Sequence, residues 1–106
     1  MTQPPAFTIA QVKDNVRKSF LNLEAYMLLL DEWEKINCRE VTIFDMRHLH
    51  CQITKELRYL VSASDNLPDA LPIKQKVVLI LDKLDRLGRR CPALERYLPR
   101  RSDIGL

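Results

Sequence analysis

Glycine is nearly missing from this chain: 106 residues hold only Gly88 and Gly105, far from one another. That excludes a glycine-rich phosphate loop, which needs several backbone N–H groups brought close to one anion. Cysteine is scarce as well. The thiols at positions 38, 51 and 91 are odd in number and have no paired spacing. A secreted disulfide framework is therefore not expected, and a reducing compartment is, the cytoplasm first and the nucleus as the other choice. Long apolar runs are absent too. The most apolar stretch, Tyr26 to Leu30, is bounded by Glu24 and Asp31 and falls far short of the roughly 20 residues a membrane span requires. The opening MTQPPAF has no basic segment leading into an apolar one, so no signal peptide is expected.

What the chain does contain is leucine, charge and helical period. With 46% hydrophobic and 29% charged residues, it has the texture of a helical globular protein rather than a disordered one. Its length fits one small domain over residues 1–106, with loose ends expected at 1–7 and 99–106. The fold class expected is all-α: a small antiparallel bundle of three main helices near 9–37, 43–64 and 73–90, plus a short C-terminal helix or turn.

Thr8-Ile9-Ala10-Gln11 has the form of a capping box, in which the hydroxyl accepts from a backbone N–H three residues on and the Gln reaches back. The first helix should begin there. Its apolar stripe is Ile9, Val12, Val16, Phe20, Leu23, Met27, Leu30 and Trp33, spaced by threes and fours as one helix face requires. In FLNLEAYMLLL the apolar residues overflow that stripe, since Leu21 and Leu28 stand one heptad apart and about 140° from the Leu23 and Leu30 line. A helix apolar over so much of its circumference is buried on more than one side. The first helix is thus expected to be central, or to face a second molecule.

Thr42-Ile43-Phe44-Asp45 repeats the start signal, hydroxyl and acid three apart. The second helix should bury Ile43, Met46, Leu49, His50, Ile53, Leu57 and Leu60. Asp65 to Pro72, with two prolines and an Asp-Asn pair, reads as a linker. Beyond it, Ile73, Val77, Ile80, Leu84, Leu87 and Cys91 form a packing seam at intervals of four and three. Pro92 then ends or kinks the third helix, Ala93 to Leu98 can make one further turn, and the tail RRSDIGL reads as loose.

The stretch MRHLHCQ, residues 46–52, gathers both histidines and one cysteine. On a helix His48 and His50 point in nearly opposite directions. His50 falls on the core face, and His48 falls near Asp45 and Cys51. Two ligands do not make a zinc site, so no metal and no other cofactor is expected. A Cys51–His48 nucleophile pair would need an oriented base and an oxyanion site that no motif supplies. The carboxylates Asp31, Glu32 and Glu34 stand beside Lys35 like a solvated helix face. No catalytic residue is expected, and the chain is not expected to be an enzyme.

Two functional readings follow. The first is a helical protein-binding module, such as an adaptor, regulator or subunit, that forms a homodimer or takes a protein partner through Leu21, Leu28, Leu29 and Trp33 of the first helix. The competing account of those residues is that the second and third helices and the Leu94-Tyr97-Leu98 segment cover them. The second reading rests on charge. Residues 1–50 carry six Lys and Arg against seven Asp and Glu, a net −1, while residues 51–106 carry eleven against seven, a net +4. Lys83, Arg86, Arg89, Arg90, Arg96, Arg100 and Arg101 could contact nucleic-acid phosphates or an acidic partner. A solvated helix face and helix C-terminus produce the same pattern.

Overall fold

The computed structural model describes residues 8–106. The expectation for residues 1–7 lies outside them. Five helices follow in order: α1 (Ile9–Lys35), α2 (Ile43–Ser64), α3 (Ala70–Arg90), α4 (Pro92–Glu95) and α5 (Arg101–Ile104), with no strand among the described residues. The chain is the expected all-α bundle. Both capping boxes form: Thr8 and Gln11 bond reciprocally at 2.8 and 3.2 Å, and Thr42 and Asp45 at 3.2 and 3.0 Å. Each satisfies two N–H groups that a helix start leaves without partners.

Two helix ends differ from expectation, each for a local reason. α1 stops at Lys35, short of Asn37, because Asn37 turns left-handed at φ 52°. Its N–H then donates to the Glu34 carbonyl at 3.0 Å and that of Cys38 to the Trp33 carbonyl at 2.8 Å, the paired bonds of a Schellman C-cap. Cys38 and Glu40 are left-handed as well, at φ 57° and 65°. α3 starts at Ala70, before Pro72. Pro72 occupies the third helical position, where a missing N–H breaks no intrahelical bond.

The central helix is α2, not α1. α2 packs against α1 on one flank, α3 on the other and α5 at its end, while the backbones of α1 and α3 hardly approach one another. Ile53, Leu57 and Leu60 are fully enclosed. Ile43, expected inside, is exposed one residue past the N-cap. The α1–α2 seam also carries a polar clasp, in which the Ser19 hydroxyl bonds the Glu56 carboxylate and Asn22 Nδ2 donates to the same carboxylate at 3.4 Å.

The C-terminal stretch 99–106, expected to be loose, is docked instead. Ile104 is 4% exposed, and Arg58 Nε of α2 donates to the Asp103 carbonyl at 2.7 Å. One apolar anchor and one charge-assisted bond seat a helix too short to show a period. α4 packs directly onto α3 beside the buried Gly88, where a Cβ would lie 3.4 Å from Leu98 Cδ1 and 3.5 Å from the Glu95 backbone, at ordinary van der Waals contact.

Thr54 of α2 is buried with its Oγ1 lacking a hydrogen-bond partner. A buried hydroxyl without a partner is destabilising, whereas a methyl of the same shape is at home there. Thr54→Val is therefore expected to raise stability by about 1 kcal/mol in chemical denaturation, and a loss of stability would contradict this assignment.

Candidate functional site

Because α1 and α3 both pack on α2 and hardly on each other, a groove runs between them. Its middle holds about 510 Å³ and is floored by Phe20, Leu23 and Met27 of α1 with Ile80 of α3. The rims are apolar and open to solvent: Leu28 is 66% exposed and Leu79 57%. Leu21, at 51% exposed, extends the α1 rim by one heptad toward a second section lined by Ile73 and Lys76. In the middle section the walls differ in charge, α1 contributing Glu24 and Asp31 and α3 contributing Lys76 and Lys83; in the second section α1 also brings Lys13 and Arg17. Lys76 already reaches across, its Nζ 5.2 Å from the centre of the Phe20 ring, a cation–π distance.

The four partner-binding residues read from the sequence do not form one surface. Leu21 and Leu28 share the groove's α1 rim. Leu29 is exposed as well, but it lies seven residues after Asn22, which faces Glu56 of α2, and so falls on the opposite edge of α1. Trp33 is partly buried against the core, in a small hollow shared with Met46, His50, Leu94 and Tyr97, because α4 and the residues after it fold back over this end of α1. Leu79 was not singled out by the sequence, since it stands outside the seam of the third helix and only the position of α1 gives it meaning.

The residues of MRHLHCQ separate as helical geometry requires. His50 faces inward, with Nδ1 3.0 Å from the Tyr97 carbonyl oxygen; since a carbonyl only accepts, Nδ1 carries the proton. His48 is exposed and stacked on Phe44, with ring centroids 6.5 Å apart and planes 9° off parallel. Cys51 is exposed. Among the described residues no group of three or more His, Cys, Asp or Glu side chains could hold a metal ion, and no helix is long and apolar enough to cross a membrane.

The basic cluster divides along the two edges of α3. Lys83, Arg86 and Arg90 line a hollow on the α1 side together with Asp31. Arg89, Arg100 and Arg101 line another against α4 and α5, interleaved with Asp82, Asp85 and Glu95. Arg96 is exposed and belongs to neither. Two of these cations are already matched. Arg89 pairs with Asp85 at 2.8 Å, and Arg90 holds Glu34 of α1 through Nε at 2.9 Å and an Nη at 3.3 Å. The Glu34 carboxylate raises the Arg90 pKa further above its ordinary value.

Comparison of the chain with protein-family models, with curated proteins and with solved structures returns no match.

Cations split between two edges and mixed with carboxylates hold no continuous line of phosphates. Any nucleic-acid binding is expected to be weak, indifferent to sequence and steeply salt-dependent in titrations with unrelated DNA and RNA fragments. Tight, sequence-selective binding at physiological salt would contradict this.

Proposed function

We propose that this chain is a helical protein-binding module, not an enzyme, and that the α1–α3 groove pairs it with a second copy of itself. The observation that carries the proposal is the pair of exposed leucine rims, Leu28 and Leu79, standing over half-buried Phe20, Met27 and Ile80. Adjacent apolar side chains left open on two neighbouring helices form the kind of contiguous patch that marks a contact surface.

Charge favours a second copy as the occupant. A two-fold contact sets the same patch against itself, so what α1 offers must suit what α3 offers. The acidic α1 wall, Glu24 and Asp31, faces the basic α3 wall, Lys76 and Lys83, across the groove. Two copies related by a two-fold axis can bring each acidic wall beside the other copy's basic wall while Leu21, Leu28 and Leu79 are withdrawn from water. The paired α1 and α3 helices then make a four-helix layer of the kind seen in bundles. Three free thiols suit a reducing compartment, which supports a cytoplasmic or nuclear setting. Phosphate contacts by the basic residues of α3 stay the secondary reading.

The test is solution mass by light scattering. The native chain is expected at twice its monomer mass. Leu28→Glu should weaken dimerisation by at least about tenfold, since a buried leucine contributes roughly 1.5–3 kcal/mol and the new carboxylate must lose water. The helical circular-dichroism spectrum should be unchanged. A variant that unfolds would place Leu28 in the monomer core, and a native chain that stays monomeric at high concentration would remove the second copy as occupant.

A further inference from the structure

The fold brings together two thiols that are widely separated in sequence. Cys38 Sγ and Cys91 Sγ lie 3.9 Å apart across 53 residues. Cys38 sits in the α1–α2 turn, and Cys91 closes α3 immediately before Pro92 of α4. Neither position is a slack loop. The Cys38 N–H is bonded to Trp33 and its carbonyl accepts from Val41 at 3.2 Å, while the Cys91 N–H is bonded to Leu87 at 2.8 Å and its carbonyl accepts from Leu94 at 3.0 Å. The residue before Cys91, Arg90, the last of α3, is tied to Glu34 in the last turn of α1. The two ends are therefore held side by side by contacts independent of the sulfurs. Side-chain rotation has to close about 2 Å to reach bonding distance.

We propose that Cys38 and Cys91 are a redox-modifiable pair that forms a reversible intramolecular disulfide by exchange with a small-molecule disulfide of the glutathione type. Exposure assigns the roles. Cys38 is only partly buried and can meet a reagent, whereas Cys91 is buried beside it and can reach only Cys38. The Cys38 thiolate attacks one sulfur of the reagent, whose S–S bond breaks; one thiolate leaves, taking up a proton, and a mixed disulfide stays on Cys38. The Cys91 thiolate then attacks the Cys38 sulfur and expels the second reagent thiolate, which is also protonated. The protein loses two electrons and two protons, and the small disulfide becomes two thiols.

Burial, with the Cys91 thiol alongside, pushes the Cys38 thiol up to about 11. Its thiolate is thus scarce at neutral pH, so the first exchange step is slow there and quickens as the pH rises. Cys51 is exposed on α2, away from this junction, and takes no part. Once formed, the bond fastens the α1–α2 turn to the α3–α4 junction at the Glu34–Arg90 end of the groove. The inference holds whether or not the groove pairs two copies.

The experiment treats the full chain, Cys51→Ser and Cys38→Ser with oxidised glutathione, then reads non-reduced mass, tryptic peptides and melting temperature. The native chain and Cys51→Ser are expected to lose two hydrogens, to yield the peptide Ile36–Arg39 linked to Cys91–Arg96, and to melt roughly 15–20 °C higher, as closure of a loop this long implies. Dithiothreitol should reverse all three changes. Cys38→Ser should show neither the link nor the rise; should it fail to fold, the peptide map of Cys51→Ser decides alone. Glutathione adducts without the Cys38–Cys91 peptide, or chains joined through Cys51, would overturn the proposal.

Discussion

Burial of α2 on both flanks is the constraint from which the rest of the molecule follows. Leu57 and Leu60 are 0% exposed and Ile53 1%, which places each near the full 1.5–3 kcal/mol that enclosing such a side chain contributes. α1 supplies one side of that enclosure with Val16, Leu23 and Leu30, and α3 supplies the other with Val77, Leu81, Leu84 and Leu87. Each long helix thereby satisfies its main apolar stripe against α2. Their direct contacts are made by side chains such as Arg90 with Glu34 and Lys76 with Phe20, while their backbones stay apart and the groove remains.

Two contacts made by cations hold the outer helices in register, one in the middle of the groove and one at its end. Lys76 covers the Phe20 ring in the middle, and Arg90 grips Glu34 at the far end. Beside that ion pair the left-handed turn at Asn37, Cys38 and Glu40 carries the Cys38 thiol to Cys91. Left-handed backbone is unfavourable for residues with a Cβ, and here the C-cap bonds and the packing of Cys38 and Val41 against the core hold it in place. The groove thus has one end where α1 and α3 are tied by charge and can be tied by sulfur, and a longer open part where leucines meet water.

Much of the fold was legible in the residues. The two hydroxyl-x-x-acid or amide boxes place the starts of α1 and α2, and periods of three and four place the buried seams, because these signals arise within one turn of helix. Signals that depend on neighbours were not legible. The overflow at Leu21 and Leu28 pointed either to α1 at the centre or to α1 facing a second molecule; the centre is α2, whose buried arc includes Thr54 and Ser64 and so looks less apolar in sequence. Trp33 continued the α1 stripe, and only the return of α4 and Tyr97 over it shows that it is covered. Ile104 in a four-residue helix has no period to betray it. Cys38 and Cys91 have no spacing motif, since their proximity comes from the antiparallel course of α1, α2 and α3. For the groove, Leu21 and Leu28 were visible, but their partner rim at Leu79 was not, because it is defined by another helix.

Native-state hydrogen exchange tests most directly whether α2 is the shared support. Amides open at free energies set by the packing around them, and the most enclosed segment exchanges only through global unfolding. The amides of Ile53 to Leu60 are predicted to be the slowest in the chain, with a protection free energy equal to that of complete unfolding, while the turns of α1 and α3 that border the groove open at lower cost. Slowest exchange in the middle of α1, with α2 opening ahead of it, would contradict the central place of α2.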